Sequence, residues 1–238
     1  MPVPDHIPPG ADPAQGQQPA LPLQGLTILA VEDSRFASEA LRLLCLRSGA
    51  RLRRAETMAA AARHLALYRP DAVIVDLGLP DGDGAQLIAR LSQAGLTVFG
   101  TSGDPEGSRV ALYHGARAFF DKPMENIAIF QSYILSHIPG RVMVATDKEG
   151  RLQPDRLALQ DDLLRAAELL GATPDGATRR YVAGFLGSIA QSARDPALAQ
   201  AARRAAISTD ALPQLHALLN ARLAAGSDVF AVPENFVP

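Results

Sequence analysis

The sequence predicts an α/β fold with a doubly wound, five-stranded parallel sheet, followed by a small all-α helical domain. Three observations support this prediction. Short apolar runs alternate with helical patterns five times between residues 25 and 138, which is typical of repeated βα units. The best-defined run, residues 72–75, is β-branched and is cut off by turn residues, as in a strand buried on both faces. Beyond residue 154 the apolar residues recur at helical spacing.

Each element of the first domain follows from its local pattern. The strands are expected at residues 26–32, around Leu52, and at 72–76, 97–100 and 117–120. The helices are expected at residues 35–48, from Thr57 to just before Pro70, after the cap Asp83, from Pro105 to Gly115, and at 124–137. The pattern leaves open whether Cys45 or Leu46, and whether Ile129 or Phe130, faces the core.

The flanking segments differ from this repeat in composition. Residues 1–24 are rich in Pro, Gln and Gly, so we expect a disordered leader with too little apolar surface to fold. Residues 139–154 follow a Pro-Gly pair and form either a linker or a short hairpin. Residues 155–238 predict four helices, which begin near Asp155, at Asp175 or Thr178, at Asp195, and at Thr209 or Asp210. Their core-facing stripes are expected to include Leu157 and Leu164.

Charge and composition exclude several classes of protein. The chain has 23 Lys and Arg against 25 Asp and Glu, evenly spread, which does not indicate a nucleic-acid or membrane surface. A single cysteine, Cys45, excludes an internal disulfide and fits a reducing compartment. The sequence has neither a signal-peptide pattern nor an apolar run of the roughly 18 residues that a membrane span needs. We therefore expect a cytoplasmic protein.

Polar side chains of different kinds end four of the predicted strands. Two acids, Glu32 and Asp33, follow the first, Asp76 ends the third, Thr101-Ser102 the fourth, and Lys122 the fifth. The ends of parallel strands meet at one edge of the sheet, so three carboxylates would lie close together there. Such a cluster is costly without a cation, and Mg²⁺ prefers oxygen ligands. A carboxylate nucleophile beside a cation can accept a phosphoryl group.

These motifs resemble the receiver domain of two-component response regulators, a CheY-like, flavodoxin-like fold. The resemblance covers about residues 25–138 and rests on ordered motifs: Val31-Glu32-Asp33-Ser34, Asp76 with Pro80 and Asp83-Gly84, Thr101-Ser102, and Lys122-Pro123. The intervals from Asp76 to Thr101 and from Thr101 to Lys122 are slightly shorter than the family pattern, which a trimmed third or fourth helix would explain.

The resemblance implies a role for each polar strand end. Asp76 would be the phosphoacceptor and Lys122 the cation that pairs with the phosphate. Mg²⁺ would be held by Glu32, Asp33 and Asp76, together with the backbone carbonyl of Gly78.

The resemblance also implies a switch. Thr101 would be the hydroxyl that contacts the attached phosphoryl group, with Ser102 as the alternative. Phe119 would be the aromatic side chain that turns inward on phosphorylation.

The implied partner is a sensor histidine kinase or a phosphotransfer protein, and the receiver would catalyse only its own phosphorylation and dephosphorylation. Residues 139–238 carry eleven basic and eleven acidic side chains, so we expect a helical output that dimerises or binds protein, with nucleic acid not expected. The alternatives are a DNA-binding regulator and a phosphatase-type output. The doublets Arg179-Arg180 and Arg203-Arg204 are interpreted as solvated helix faces, and His216 as a structural or surface histidine.

Overall fold

The computed structural model describes residues 21–138, 155–171 and 174–227. The predicted leader up to residue 20, the predicted linker or hairpin at 139–154, and the tail beyond 227 lie outside the described residues. Leu23 is fully buried and its amide donates to the Ser48 carbonyl at 2.8 Å, so packing of the first domain begins before residue 25.

The first domain is organised around a five-stranded parallel sheet. Its strands are β1 (Thr27–Val31), β2 (Arg51–Ala55), β3 (Ala72–Asp76), β6 (Val98–Ser102) and β7 (Ala118–Asp121). Their order in the sheet is β2-β1-β3-β6-β7. Between β3 and the next helix, an unpredicted pair of two-residue strands, β4 (Gly78–Leu79) and β5 (Gly82–Asp83), forms an antiparallel ladder. The strand β2 lies on one side of β1, whereas β3 and the later strands lie on the other side. Doubly wound folds bind their ligands at this switch in strand order, between β1 and β3.

Five helices cover the two faces of this sheet. They are α1 (Arg35–Ser48), α2 (Met58–Leu67), α3 (Gly84–Gln93), α4 (Gly107–Tyr113) and α5 (Ile127–His137). Helices α1 and α5 enclose one core, in which Phe99, Phe120 and Phe130 are buried. Helices α2, α3 and α4 enclose the other, which contains Val75 and Phe119. The five-stranded doubly wound fold is confirmed.

Several local predictions are settled by these contacts. Asp83 caps α3, accepting a hydrogen bond from the Ala85 amide at 2.9 Å. Cys45 faces the core whereas Leu46 is 61% exposed, and Phe130 is buried whereas Ile129 is 48% exposed. The prediction that Pro105 lies in the first turn of a helix is wrong, because α4 begins only at Gly107 and Pro105 lies in the turn before it.

The second domain is a bundle of four helices and one short 3-10 turn within the described residues. The helices are α6 (Arg156–Gly171), α7 (Gly176–Ser192), α8 (Pro196–Ile207) and α9 (Leu212–Ser227), and the turn is Thr209–Ala211. The core combines Leu163 and Leu170 with apolar residues of α7, α8 and α9. Leu157 and Leu164 are each 50% exposed, so the prediction that they face the core is wrong.

Asp175 and Asp195 cap α7 and α8, so Asp175 rather than Thr178 begins the second helix. Ser208 caps the 3-10 turn, so the fourth helix begins one turn later than predicted. Within the described part of the chain, no helix combines the length and the apolar character that crossing a membrane requires.

Candidate functional site

Three buried carboxylates meet at the carboxyl edge of the sheet. Glu32 and Asp33 directly follow β1, and Asp76 is the last residue of the neighbouring strand β3. One carboxylate oxygen of each lies within 4.8 Å of the others. The chain leaves this edge at once, because the Ser34 hydroxyl accepts a hydrogen bond from the Ala37 amide and thereby starts α1. The sequence prediction that these acids converge is confirmed.

Lys122 links two of the carboxylates. It follows β7, and its Nζ lies 2.8 Å from Asp76 Oδ2 and 2.8 Å from Glu32 Oε2. All three side chains are almost completely buried. Burial alone would lower the pKa of Lys122, but Asp76 and Glu32 outweigh it and raise that pKa above its usual value. Lys122 is therefore a fixed positive charge beside Asp76.

The single ammonium of Lys122 does not neutralise three carboxylates, and the pKa values of Glu32 and Asp33 are raised. Burial is the largest cause that raises the pKa of Glu32, and the nearby charge of Asp76 raises it further. Burial also raises the pKa of Asp33 from 3.8 to about 6, although a hydrogen bond from Tyr181 opposes this. The cluster therefore holds negative charge at a free-energy cost when no further cation is bound.

The donor set fits Mg²⁺. Every side-chain donor in the cluster is a carboxylate oxygen, which is what a hard divalent cation prefers. Asp33 Oδ1 is buried and accepts no hydrogen bond from another described residue, so it is a free ligand atom in the cluster. Gly78, expected to contribute its carbonyl, lies beside the cluster, since its amide is 3.2 Å from Asp76 Oδ1.

The two hydroxyls at the end of β6 lie on opposite faces of the sheet. Thr101 pairs with Asp76 in register, but its hydroxyl is fully buried and donates to the Phe120 carbonyl at 2.8 Å. The next residue, Ser102, lines the same cleft as Asp76 and accepts a hydrogen bond from the Asp104 amide at 3.1 Å. Because side chains alternate along a strand, Ser102 shares its face with Gly100 rather than with Thr101.

Phe119 is on that same face and already points inward. It is only 8% exposed, and the glycines Gly100 and Gly107 make room for its ring. A Cβ added at Gly107 would lie 2.9 Å from both Phe119 Cζ and Ser102 Cβ. Phe119 is thus already buried in this conformation, and the expectation that it turns inward on phosphorylation stays a prediction.

The segment after Asp76 is held by contacts that the sequence did not reveal. The Asp81 carboxylate accepts hydrogen bonds from the Met58 and Ala59 amides, at 2.9 and 3.0 Å, and so anchors the β4–β5 turn to the start of α2. Gly84 packs so tightly against the backbone of Asp76 that any Cβ would collide with it. These contacts fix the position of the Asp76 carboxylate.

Four residues of the bundle also contact this edge, and the sequence analysis did not identify them. The Tyr181 hydroxyl donates to Asp33 Oδ2 at 2.5 Å. Ser188 Oγ accepts from Lys122 Nζ at 2.8 Å. Arg165 and Asp162 contact the segment from Asp33 to Phe36. All four lie in helical patterns of α6 and α7, where nothing in the sequence separates them from surface residues.

A cleft of about 430 Å³ remains between the two domains beside Asp76. On the side of the first domain it is lined by Gly78, Ser102 and Gly107, and on the side of the bundle by Arg180 and Arg203. Both arginines are exposed and make no hydrogen bond or salt bridge with another described residue. The two basic doublets lie on separate helices, α7 and α8, and each places one arginine on the rim of this cleft.

The five-stranded doubly wound fold, with an acid cluster and a lysine at the carboxyl edge of its sheet, is that of a receiver-type domain. Comparison with known proteins agrees: residues 28–133 match the family described as response regulator receiver domain. The chain is 34% identical over 99 residues to the KDP operon transcriptional regulatory protein KdpE of Escherichia coli K12, covering 40% of this chain and 44% of that protein. The matched part is thus less than half the length of this relative.

Solved structures of receiver domains are also similar. A response regulator from Chloroflexus aurantiacus is 27% identical, with a TM-score of 0.41, over 47% of this chain and 92% of that one. The receiver domain of a histidine kinase from Syntrophus aciditrophicus is 26% identical, with a TM-score of 0.44, over 52% of this chain and all of that one. The family match itself identifies residues 28–133 as a response regulator receiver domain of two-component signalling.

Proposed function

We propose that this protein is a phosphorylation switch in which Asp76 accepts a phosphoryl group from a sensor histidine kinase or a phosphotransfer protein. The observation that carries the proposal is the buried Asp76 carboxylate, with Lys122 Nζ at 2.8 Å and two further acids beside it. This arrangement joins a nucleophile to a fixed cation and to a set of oxygen ligands for a metal.

Asp76 is proposed as the nucleophile. One of its carboxylate oxygens attacks phosphorus, and the P–N bond of the donor phosphohistidine breaks as the P–O bond forms. Lys122 then pairs with a phosphoryl oxygen, in place of its present contact with Asp76 Oδ2. Glu32, Asp33 and Asp76, with the Gly78 carbonyl, would hold Mg²⁺. The metal, when bound, would neutralise charge on the transferring oxygens.

The hydroxyl that contacts the phosphoryl group is proposed to be Ser102 or Thr101, and the contacts favour Ser102. Ser102 lines the cleft with Asp76 and shares a face with Phe119. Thr101 is engaged with the Phe120 carbonyl on the other face. A Ser102→Ala variant should therefore change the lifetime of the phosphorylated state more than Thr101→Val does.

The proposed output is the helical bundle, acting through protein interaction or dimerisation. Two arginines of the bundle make contacts within it. Arg179 donates to the carbonyls of Ala205 and Ala206, and Arg222 pairs with Asp195 at 2.6 Å. In residues 155–171 and 174–227, no three His, Cys, Asp or Glu side chains come close enough to hold a metal, which does not favour a metal-dependent phosphatase.

DNA binding is the second candidate output. Two observations support this candidate. The chain is similar to a transcriptional regulatory protein, and Arg180 and Arg203 lie on the same rim of the cleft. Contacts with phosphates release counterions, so a DNA-binding bundle would shift random duplex DNA at low salt and lose it as salt rises. We expect no shift at low salt, and a salt-dependent shift would favour this candidate.

The phosphoacceptor is tested with beryllofluoride, a phosphoryl mimic, followed by fluorine NMR in the presence of Mg²⁺. The wild-type chain should bind one equivalent, and Asp76→Asn should bind none. Asp121→Asn is the matched control, because Asp121 is an exposed carboxylate at the end of the neighbouring strand β7. Retained binding by Asp76→Asn would contradict the assignment. The mass in solution with and without the mimic then reports dimerisation.

A further inference from the structure

The cleft of about 430 Å³ beside Asp76 is lined by charges of both signs, and the two domains contribute opposite ones. Of the described residues that line it, the charged ones of the first domain are all acids: Asp76, Asp104 and Glu106. The bundle contributes Arg180 and Arg203. A phosphoryl donor is an anion, so on its way to Asp76 it is repelled by the first domain and attracted by the bundle.

One face of α7 is turned toward the phosphorylation edge and carries Arg180. Arg180, Gly184 and Ser188 follow each other at intervals of four residues, so they lie on the same face of the helix. Ser188 Oγ lies 2.8 Å from Lys122 Nζ, which fixes the direction of this face. Arg180 therefore begins on the side of α7 that faces the cleft.

The neighbouring Arg179 fixes the separation of the two helices at this rim. Its guanidinium donates to the backbone carbonyls of Ala205 and Ala206 in α8. These contacts tie the first turns of α7 to the last turn of α8, in which Arg203 lies one turn before Ala206. The backbone positions of Arg180 and Arg203 are thus set before any anion arrives.

The guanidinium groups of Arg180 and Arg203 are available to a ligand. Both side chains are exposed, and neither forms a hydrogen bond or salt bridge with another described residue. The pKa of Asp175 is lowered chiefly by hydrogen bonds from Thr178, and the charge of Arg180 is the smallest cause, so Asp175 does not engage this arginine strongly. A guanidinium presents several N–H donors in a planar fork that matches the oxygens of a phosphoryl group.

A glycine keeps the cleft open between the arginines and the edge of the sheet. Gly184 lines the cleft in the middle of α7, and a Cβ added to it would meet nothing within 4 Å. Glycine destabilises the interior of a helix relative to alanine. A larger side chain at this position would occupy space that an anion needs in order to reach Asp76.

We propose that Arg180 and Arg203 form an anion site, contributed by the bundle, that holds the phosphoryl group of the donor before its transfer to Asp76. In the transfer, an Asp76 oxygen forms a bond to phosphorus. The P–N bond of a phosphohistidine, or the P–O bond of a small acyl phosphate, breaks, and the leaving group keeps the electron pair of that bond. A leaving imidazole then takes a proton from water. The arginines take no part in these bond changes and are positioning residues. This inference rests on the proposed function and adds the recognition of its substrate.

The first test is the rate at which the full chain is phosphorylated in the presence of Mg²⁺, followed by intact-protein mass spectrometry. Arg180→Gln combined with Arg203→Gln should raise the donor concentration for half-maximal rate about ten-fold, because charge-assisted hydrogen bonds to the donor are lost. The maximal rate should stay near that of the wild type. Arg156→Gln combined with Arg204→Gln is the matched control, since it removes the same charge from exposed positions of the bundle and should change neither quantity.

Two donors identify the group that the arginines hold. Acetyl phosphate releases acetate, whereas phosphoimidazole has the P–N bond of a phosphohistidine and releases imidazole. If the arginines hold the phosphoryl group, the Arg180→Gln, Arg203→Gln double variant should lose the same factor with both donors. A loss confined to acetyl phosphate would overturn the proposal, because the arginines would then recognise its acetyl group.

Salt dependence separates an electrostatic role from a structural one. Salt screens the attraction between exposed arginines and an anion, so at low donor concentration the wild-type rate should fall as sodium chloride rises. The double variant Arg180→Gln, Arg203→Gln should depend on salt less steeply. Arg180→Lys combined with Arg203→Lys should recover part of the rate, because lysine keeps the charge and lacks the planar fork. Equal salt dependence of the wild type and the glutamine variant would overturn the proposal.

An independent variant narrows the cleft without removing a charge. Gly184→Leu should slow transfer from both donors, because its side chain enters open space in the cleft, whereas Gly184→Ala should keep the wild-type rate. Neither substitution should lower the urea midpoint, since each replaces a glycine within a helix. An unchanged rate in Gly184→Leu would contradict the proposed route to Asp76.

The outcomes also separate this inference from the proposed function. Wild-type kinetics in the Arg180→Gln, Arg203→Gln double variant, with the phosphoryl group still on Asp76, would overturn the anion site and leave the proposed function standing. A wild-type chain that accepts a phosphoryl group from neither donor would overturn both.

Discussion

Replacing Asp33 by Asn should stabilise the metal-free protein while it removes a proposed metal ligand. The side chain is buried beside Asp76, and its pKa is raised from 3.8 to about 6, chiefly by burial. The protonated acid and the neutral amide are similar in shape, and the amide oxygen can still accept the Tyr181 hydrogen bond. The substitution therefore removes the charge and keeps the packing.

The size and sign of the effect follow from linkage. A pKa difference of one between folded and unfolded chains is worth about 1.36 kcal/mol, so a rise from 3.8 to about 6 costs the folded state about 3 kcal/mol. Below pH 3.8 the acid is protonated in both states and costs nothing. Between pH 3.8 and 6 only the unfolded chain ionises, so stability falls as pH rises, and above pH 6 the full cost is present.

The assay is urea unfolding followed by far-UV circular dichroism, with a metal chelator, at intervals from pH 4 to pH 8. Asp33→Asn should match the wild type at the lowest pH and be about 3 kcal/mol more stable at pH 8. Asp121→Asn, an exposed acid, should differ by less than about 0.5 kcal/mol throughout. The electrostatic account of the cluster would be refuted if Asp33→Asn were no more stable than the wild type at pH 8. It would also be refuted if the stability difference did not vary with pH.

Three further predictions follow from the same geometry. Mg²⁺ must displace a proton from Asp33 below pH 6, so calorimetry should show affinity falling by about ten-fold per pH unit there; a flat profile would contradict this. Gly84→Ala should lower the free energy of unfolding in urea by about 1–3 kcal/mol and slow phosphorylation, because the new Cβ collides with the Asp76 backbone. Gly171→Ala meets nothing within 4 Å and should do neither. Phe130→Ala, at a fully buried position, should cost about 3–5 kcal/mol of unfolding free energy and leave beryllofluoride binding intact; a loss of binding at the folded protein would contradict the separation of core and site.

Much of the receiver could be predicted from sequence because its signals are local. The buried run that ends in Asp76 and the helix that starts after Ser34 were placed at their observed bounds. The polar groups were expected to converge because parallel strands share one edge. The position of the switch hydroxyl could not be fixed in this way. Thr101 and Ser102 are adjacent, and a shift of one residue along a strand reverses the face.

The contacts between the two domains could not be predicted, and the reason is physical. Tyr181, Ser188 and Asp162 lie at positions of amphipathic helices where a polar side chain normally faces water. Only the tertiary arrangement turns Tyr181 toward Asp33 and Ser188 toward Lys122. It also brings Asp162 to residues 34–36 at the start of α1. Likewise, the inward position of Phe119 depends on two glycines that are distant from it in sequence.

The most direct measurement maps the phosphoryl group. The wild-type chain is incubated with acetyl phosphate and Mg²⁺, reduced with borohydride to trap an acyl phosphate, and analysed by peptide mass spectrometry. One modification per chain is expected, on Asp76, and it should vanish when a chelator removes Mg²⁺. Modification of another residue, or equal modification of Asp76 without Mg²⁺, would contradict the claim that this acid cluster and Lys122 form a metal-dependent phosphoacceptor site.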